Sequence, residues 1–325
     1  LIVIDDKVPK KILKKIISIK KKKIIYYFSS SEKNKNQKTI NKLLEILLKN
    51  NFHRSDCIIS VGGGITGDVS AFAASIFKRG LKFINFPTTL LAQVDSSIGG
   101  KTGINSKYGK NLIGSFYQPN LVISDTTFLK SLSKREIICG YAEILKHSLI
   151  LDKKFFDYLN KNAEAILKIK KPHLEKAIYQ SCLIKKRIIE NDEHEVGVRQ
   201  ILNLGHTFAH AFEATKKYSK NLNHGEAVLL GIICATKFSY QKNKIKQKNL
   251  LKILNHFKKI DLPMQVGKYF SKKDINKILS FMKKDKKNID EKINLVLLKQ
   301  LGNANYNFPY KSSTIKNFLL KELSN

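Results

Sequence analysis

The stretch Cys57-Ile-Ile-Ser-Val-Gly-Gly-Gly-Ile-Thr-Gly-Asp-Val-Ser-Ala-Phe-Ala-Ala-Ser-Ile-Phe77 predicts a strand, a glycine turn and a helix, in that order. Cys57–Val61 has the length and the β-branched composition of a buried strand, and Val69–Phe77 is typical of a helix. Gly62–Gly64 between them would let backbone N–H groups at a helix N-terminus face a phosphate. Many βα turns contain glycines and bind nothing, so this signal depends on its strand-before, helix-after setting, which is present here.

The same alternation extends over the first third of the chain and then stops. Short β-rich runs alternate with helical stretches, which is the pattern of parallel βαβ units. The predicted strands are Leu1–Ile4, Ile24–Phe28, Cys57–Val61, Lys82–Phe86 and Leu121–Ser124. After Ser133 apolar residues recur every three or four positions, which predicts helices. Examples are Lys161–Ile169, Leu174–Ile189 and Asn249–Phe257, with one late strand-like run at Lys292–Leu298.

These patterns predict two domains in 325 residues, a length that exceeds the usual size of one core. Residues 1–130 are expected to form an α/β nucleotide-binding domain with a Rossmann-like parallel sheet. Residues 131–325 are expected to form a mainly α-helical domain.

The net charge of +34 would ordinarily suggest a nucleic-acid or membrane partner. Here the lysines are spread over every predicted surface and accompany abundant isoleucine and asparagine, as an adenine- and thymine-rich coding bias would produce. We therefore expect no dedicated nucleic-acid partner, although a positive field would attract an anionic substrate.

No apolar run approaches the ~20 residues that span a bilayer, the longest being Ala227–Ala235. The N-terminus reads as a strand and a helix rather than as a signal peptide, which predicts a cytoplasmic protein without a membrane partner. The four cysteines have no CxxC spacing and lie in apolar stretches, so we expect buried, reduced thiols.

A second candidate binding segment, Pro87–Asn105, follows a predicted strand. It is rich in hydroxyls and turn glycines and carries two opposite charges, Asp95 and Lys101. Alone, it would be an ordinary polar loop.

Histidines in the helical half are candidate metal ligands. His206 and His210 are spaced i, i+4, and His224 with Glu226 follows a polar turn. Imidazoles plus a carboxylate suit zinc, and three protein ligands leave a position for substrate. Taken singly, each histidine is more commonly a hydrogen-bonded core or surface residue, and the lysines around them more commonly solvated charges.

The glycine turn and the Pro87–Asn105 segment, in this order and spacing, resemble the 3-dehydroquinate synthase family of the shikimate pathway, which leads to chorismate and the aromatic amino acids. Further motifs of that family occur in its order along nearly the whole chain. They are Gly109–Pro119, Arg135-Glu136, Gly140–Lys146, Asp192–Arg199, Leu202–Glu213, His224–Val228 and Asp285–Lys287.

The resemblance implies a reaction and its cofactors. The family converts 3-deoxy-D-arabino-heptulosonate 7-phosphate to 3-dehydroquinate and phosphate, using NAD for a transient oxidation and a divalent ion, Zn²⁺ or Co²⁺. The implied metal ligands are Glu143, His206 and His224. The implied cofactor-binding residues are Asp5, Glu32, Lys35, Gly63, Gly64, Asp68, Thr88, Thr89, Asp95, Lys110 and Ser131.

The resemblance also assigns substrate residues. Lys185 and Arg199 would hold the carboxylate end, and Lys101, Asn111, His210 and Lys286 the phosphate end. Lys146 and Asn203 complete the implied catalytic set, together with Arg79. Because a helix starting at the cofactor phosphates runs away from them, Arg79 should lie roughly 20 Å from its own glycine turn and serve the neighbouring subunit of a homodimer.

The sequence departs from the family pattern in three places. It begins at the strand carrying Asp5, where the family normally has a further segment of antiparallel strands, so we expect either truncation or a lost sheet edge. Ser31 replaces a glycine before Glu32, and Ser131 replaces a threonine. The alternatives are a related sugar-phosphate cyclase and a glycerol-phosphate or alcohol dehydrogenase of the same fold, which would share the glycine turn and the metal histidines. The discriminating residues are Lys101, Asn111, Lys185 and Arg199, which a small neutral alcohol would not require, so this set favours the synthase.

Overall fold

The computed structural model describes residues 1–18, 21–219, 221–283 and 292–324. Contacts between Cα atoms divide the chain into two compact units, Leu1–Gly140 and Tyr141–Asn325. The division into functional domains at residues 130 and 131 stays a prediction.

A five-stranded parallel sheet forms the centre of the first unit. Its strands are β1 (Ile2–Asp5), β2 (Ile25–Phe28), β3 (Cys57–Gly62), β4 (Lys82–Pro87) and β7 (Leu121–Val122), in the order β2-β1-β3-β4-β7. The connecting helices are α1 (Lys10–Ile17), α2 (Gln37–Lys49) and α3 (Gly64–Ile76). The predicted α/β fold and all five predicted strands are confirmed, each strand to within two residues at either end.

Both faces of this sheet are buried, which explains why its strands are apolar throughout instead of alternating. Val3 and Ile58 belong to the core beneath α2 and α3, while Ile2 and Ile4 point the other way into the core beneath α1. Side chains of a strand alternate between faces, so one apolar run serves two cores.

The strand order reverses between β1 and β3. From β1 the chain moves outward to β2, and from β3 it moves outward in the other direction to β4. A crevice forms at such a point beyond the carboxyl ends of the strands, where open α/β sheets bind their ligands. Here those ends are Asp5 and Gly62.

The Pro87–Asn105 segment is partly turn and partly strand. Ala92–Ser96 is a π-helical turn, and Gly99 and Gly100 have φ of 110° and 67°, the left-handed region that glycine favours. From Lys101 the chain forms a hairpin that the sequence did not predict, β5 (Lys101–Ser106) paired with β6 (Gly109–Phe116). Polar residues and glycines hide the alternation from which a strand would be recognised.

The second unit is mainly helical, as predicted. Its helices are α5 (Lys153–Leu167), α6 (His173–Asn191), α7 (His206–Thr215), α8 (His224–Gln241), α9 (Gln247–Lys259), α10 (Ile275–Lys283) and α11 (Ser312–Glu322). The helix α4 (Lys134–Leu151) runs across the division between the units. The predicted late strand is β8 (Lys292–Gln300), and its partner β9 (Asn303–Lys311), rich in asparagine, was not predicted.

The helix α8 is buried on nearly all sides and begins with a capping box, in which the side chains of Asn223 and Glu226 each accept the other residue's backbone N–H. Its Gly231 touches Gly205, just before α7: a Cβ on Gly231 would lie 2.1 Å from the carbonyl oxygen of Gly205. Only glycines permit this approach, which fixes α7 against α8.

Among the described residues, no helix has both the length and the apolar character needed to cross a membrane. All four cysteines are free thiols, but the expectation that all are buried is wrong: only Cys234 is buried, and Cys57, Cys139 and Cys182 are half-buried. An apolar sequence neighbourhood did not fix the exposure of the side chain itself.

Candidate active site

A cavity of about 480 Å³ lies at the reversal of strand order in the first unit, and we call it the switch-point cavity. It is lined by Asp5, Lys7, Val8, Ser30, Gly63, Gly64, Ile65, Thr88, Thr89, Leu91, Phe128, Ser131, Leu132, Glu136 and Cys139. Six of the eleven predicted cofactor residues are among them: Asp5, Gly63, Gly64, Thr88, Thr89 and Ser131.

Where the glycine turn lines this cavity, at Gly63 and Gly64, it presents backbone atoms and no side chains. The helix α3 begins at Gly64, and Gly63 at its N-cap supplies no side chain to its first N–H groups. A Cβ on Gly64 would lie 2.9 Å from Ser96 Oγ. The arrangement suits a phosphate at a helix N-terminus.

Side chains around the cavity are held by short local contacts. Asp5 Oδ1 accepts the backbone N–H of Lys7 at 3.1 Å, and Lys7 Nζ donates to Ser30 O at 2.8 Å. Burial raises the pKa of Asp5 above its ordinary value. Ser131 Oγ donates to Phe128 O at 2.9 Å.

Four of the remaining predicted cofactor residues form a separate charged cluster. Lys35 is buried, and its Nζ donates to Asp68 Oδ2 and, at 2.5 Å, to Asn111 Oδ1. Glu32 accepts from Lys110 Nζ at 3.1 Å and from Asn105 Nδ2 at 2.7 Å. Burial raises the pKa of Asp68 to about 6, and the ammonium of Lys35 opposes the shift. None of these four residues lines the switch-point cavity as described, and neither does Asp95.

The second unit brings together the three predicted metal ligands, which we call the Glu143 centre. Glu143 Oε1 lies 3.6 Å from His206 Nε2 and 3.7 Å from His224 Nε2. One ligand atom from each residue lies within 4.8 Å of the others. These separations are too long for hydrogen bonds but close to the roughly 3.3 Å between ligands of a tetrahedral Zn²⁺ bound at about 2.0 Å.

The donor set itself fits a divalent cation. Glu143 is fully buried, and its Oε2 forms an ion pair with Lys146. Among the described residues its Oε1, which faces the two histidines, has no hydrogen-bond donor. Because Lys146 faces Oε2, a second cation at Oε1, beside the two imidazoles, would complete the charge pairing of this buried carboxylate. Carboxylate and imidazole are ligands that Zn²⁺ and Co²⁺ accept.

Electrostatics separate the two histidines. Burial, with the nearby Lys146, holds the pKa of His206 well below its ordinary value. Burial acts in the same direction on His224, but Glu143 and Glu213 on its two nitrogens outweigh it and raise the pKa of His224 well above its ordinary value. Burial alone would raise the pKa of Glu143, yet Lys146 and the histidines bring it well below its ordinary value.

Contacts on the far ring nitrogens orient both imidazoles. His206 Nδ1 lies 3.4 Å from Leu204 O, and His224 Nδ1 lies 3.3 Å from Glu213 Oε2. Such partners leave Nε2 as the lone-pair nitrogen directed at a metal. Sequence reasoning did not assign Glu213, although its position seven residues after His206, on the same face of α7, was a usable signal.

The predicted substrate residues of the second unit differ in exposure. Lys146, Lys185 and Arg199 are buried cations, whereas His210 is exposed, with its ring centroid 5.3 Å from that of His206. The guanidinium of Arg199 donates to Glu193 O. Asn203 Nδ2 donates to Glu195 Oε1 at 2.8 Å, so Glu195 is a further residue that sequence reasoning did not assign.

Of the other predicted substrate residues, Lys101, Asn111 and Arg79 are exposed residues of the first unit. Arg79 follows α3 in a short 3₁₀ turn, with φ of 64°. Lys286 lies outside the described residues.

Two family models match consecutive parts of the chain. Residues 25–139 match the family described as 3-dehydroquinate synthase N-terminal, and residues 140–288 match 3-dehydroquinate synthase C-terminal. At 60% identity over 326 residues, the sequence is similar to the 3-dehydroquinate synthase of Pelagibacter ubique, with 100% of this chain and 89% of that protein covered.

Solved structures show the same architecture. A 2-deoxy-scyllo-inosose synthase, in complex with carbaglucose-6-phosphate, NAD⁺ and Co²⁺, superposes with a TM-score of 0.89 at 26% identity, covering 98% of this chain and 89% of that one. The 2-epi-5-epi-valiolone synthase ValA of Streptomyces hygroscopicus, with NAD⁺ and Zn²⁺ bound, also has a TM-score of 0.89, at 22% identity and with 99% and 90% covered. At that identity the likeness shows the fold.

Proposed function

The chain belongs to the 3-dehydroquinate synthase family, and on that premise we propose how its residues divide the work of the reaction. The reaction converts 3-deoxy-D-arabino-heptulosonate 7-phosphate to 3-dehydroquinate and phosphate without net redox change. One C–O bond to phosphate breaks and one C–C bond forms, so the chain is a phosphate-eliminating cyclase. The cofactors are NAD and a Zn²⁺ or Co²⁺ ion.

The Glu143 centre is the observation that carries the proposal. Glu143, His206 and His224 would hold the metal, because they offer one buried carboxylate and two imidazole Nε2 atoms at ligand spacing. When bound, NAD exchanges a hydride reversibly with the substrate, and the divalent ion polarises the substrate oxygen at the same carbon.

The protein groups bind and orient the cofactor. Gly63 and Gly64 would hold its pyrophosphate with backbone N–H groups, while Asp5, Thr88, Thr89 and Ser131 line the same switch-point cavity. We assign Glu32, Lys35, Asp68, Asp95 and Lys110 to the cofactor as well, on the resemblance alone.

The cationic residues match the two charged ends of the substrate. Lys185 and Arg199, both buried, would hold the carboxylate, to which lysine and arginine donate charge-assisted hydrogen bonds. We assign Lys101, Asn111, His210 and Lys286 to the phosphate. Lys146 and Asn203 complete the set.

A direct assay tests the activity. Purified protein with NAD and Zn²⁺ should release phosphate from heptulosonate phosphate in many-fold excess over NAD, without a build-up of NADH absorbance. Stoichiometric NADH would indicate a dehydrogenase of the same fold. A preference for a hexose phosphate that lacks a carboxylate would indicate a related cyclase and would contradict the roles of Lys185 and Arg199.

We further propose a homodimer, supported by exposed apolar residues of the β5–β6 hairpin. Leu112, Ile113 and Phe116 on β6 are each more than 40% exposed, and exposed apolar strands commonly pair with another chain. The turn carrying Arg79 adjoins this hairpin, since Tyr117, just after β6, donates to Leu81 O at 2.7 Å. A partner seated there would receive Arg79 close to its own surface.

A mixing experiment tests that role of Arg79. The variants Arg79→Ala and Lys146→Ala, each nearly inactive, should regain up to about a quarter of wild-type activity when co-refolded, because half the dimers are mixed and contain one intact composite site. Each variant refolded alone is the control. Mixed dimers without recovered activity would place Arg79 outside the partner's site.

We also propose that the enzyme works in the cytoplasm, as expected of a biosynthetic enzyme in this family.

A further inference from the structure

The turn between α6 and Asn203 is organised by a single carboxylate, that of Asp192. Asp192 Oδ1 accepts the backbone N–H of Val196 at 3.0 Å. Its Oδ2 accepts the N–H of Gly197 at 2.8 Å and that of Arg199 at 2.9 Å. We call residues 192–199 the Asp192 turn.

The Asp192 turn connects elements that carry four functional residues. Lys185 lies on α6, two turns before Asp192, and Asn203 ends the 3₁₀ segment that begins at Val198. Within the turn, Arg199 is 3% exposed and its guanidinium donates to Glu193 O. Glu195 accepts from the Asn203 amide at 2.8 Å.

We propose that Asp192 is a positioning residue for substrate binding: it closes the turn that delivers the Arg199 guanidinium and, through Glu195, the Asn203 amide. The inference rests on the proposed function, in which Arg199 holds the substrate carboxylate. Asp192 itself touches backbone and has no described contact that would bring it to the substrate.

The chemistry of the side chain explains why a carboxylate is needed. Three N–H groups converge on its two oxygens, and an ionised carboxylate accepts at both. Burial alone would raise the pKa of Asp192, but the N–H groups of Arg199, Gly197 and Val196 bring it below its ordinary value, so the carboxylate is ionised at neutral pH. An asparagine offers one acceptor oxygen, and its NH₂ group would face an N–H donor.

Asp192→Asn should therefore weaken the hydrogen bonds that hold the turn, while every residue assigned to the substrate, the metal and NAD is retained. We expect KM for heptulosonate phosphate to rise about tenfold or more, with kcat changed less, because an interaction shared by ground state and transition state is weakened. The inhibition constant of inorganic phosphate, which reports on the phosphate end, should stay within about twofold. Metal content and NAD affinity should also be unchanged.

Asp152→Asn is the matched control. Asp152 is the N-cap of α5, where its side chain accepts a single backbone N–H, that of Phe155 at 2.9 Å, and the one acceptor oxygen of an asparagine can take over that bond. The same change of carboxylate to amide should therefore leave KM unchanged at this position. Asp192→Glu, which keeps two carboxylate oxygens, should restore part of the affinity lost in Asp192→Asn, and it serves as the second variant should Asp192→Asn fold poorly.

The effect of Arg199→Ala on KM separates the positioning role of Asp192 from the carboxylate-binding role of Arg199. If Arg199→Ala raises KM and Asp192→Asn raises KM no further in that background, the positioning role is supported. If Arg199→Ala raises KM but Asp192→Asn and Asp192→Glu do not, or if Asp152→Asn raises KM equally, the positioning role is overturned while the function of Arg199 stands. If Arg199→Ala leaves KM unchanged, the carboxylate-binding role fails and the positioning role fails with it.

Discussion

The glycine turn of the first unit presents mainly backbone, whereas the Glu143 centre of the second presents side chains. At the turn, Gly63 and Gly64 bring N–H groups to the switch-point cavity with no side chain between. At the Glu143 centre, a fully buried carboxylate faces two imidazoles whose pKa values are shifted in opposite directions. A dinucleotide is recognised by shape and by dipoles, whereas a metal ion needs ligands of specific chemistry. Substitutions in the two regions should therefore differ in the size of their effect on activity and in whether they reduce metal binding or NAD binding.

The largest effect is expected at the Glu143 centre. His224→Ala should remove one of three ligands, so that bound metal is lost and phosphate release falls at least about a thousandfold, as expected when a Lewis acid worth several kcal/mol is removed. Metal analysis of the purified protein, set beside the rate, checks both losses. His53→Ala, at an exposed histidine of the other unit, is the control. Lost activity at full metal content would give His224 a direct substrate role instead.

Asp68→Asn should have a smaller effect, a loss of NAD affinity alone. Loss of a charge-assisted hydrogen bond should weaken NAD binding about 10- to 100-fold, with metal content unchanged. Titration of NAD by calorimetry measures it, and Glu45→Gln, on the exposed part of α2, is the control. If Asp68→Asn reduced metal content and NAD affinity equally, the assignment of Asp68 to the cofactor alone would be wrong.

Two titratable groups, Asp68 in the first unit and His256 in the second, should change stability with opposite signs in acid. Burial raises the pKa of Asp68 to about 6, so the folded first unit binds a proton before the unfolded chain does, and this group stabilises it as the pH falls from 7 to 4.5. His256 is buried between Tyr141 and Asn160, and burial lowers its pKa to about 4. The unfolded chain then takes up the proton first, and this group destabilises the second unit over the same range. Each contribution is about 2 kcal/mol.

Hydrogen exchange measured by mass spectrometry at pH 7 and 4.5 can separate these contributions, after correction for the intrinsic pH dependence of exchange. His256→Gln should make the second unit about 2 kcal/mol less sensitive to acid, and Asp68→Asn should remove a contribution of about 2 kcal/mol to the acid stabilisation of the first unit. If the stability of the second unit falls equally between pH 7 and pH 4.5 in wild type and in His256→Gln, the assignment to His256 is wrong.

The smallest effect is expected from Ser131→Thr. The hydroxyl that donates to Phe128 O is retained, and the side chain is exposed, so NAD affinity should change less than about twofold. Ser131→Ala, which removes the hydroxyl, should have the larger effect of the pair. A large change with threonine would mean that the shape of the cavity wall, rather than the hydroxyl, matters at this position.

Local patterns predicted much of the fold. The five parallel strands could be recognised because burial on both faces requires continuous apolar runs, as in Cys57–Val61. The β5–β6 hairpin and β9 could not, because glycines and asparagines replace the alternation that marks a strand. Gly114 is an example: it is required by the approach of Thr102 O, which a Cβ would meet at 2.0 Å, and that contact exists only once the hairpin has formed.

By itself, the sequence determined the α/β-then-helical order, the family and the candidate ligands, because these depend on residue types at short spacing and on motif order. Only the tertiary structure decided that Glu143 is fully buried beside His206 and His224, that Glu213 orients His224, and that Lys35 joins Asp68 to Asn111. Those relations join residues 11 to 81 positions apart, and the packing of helices and strands, not local chain geometry, sets their distances.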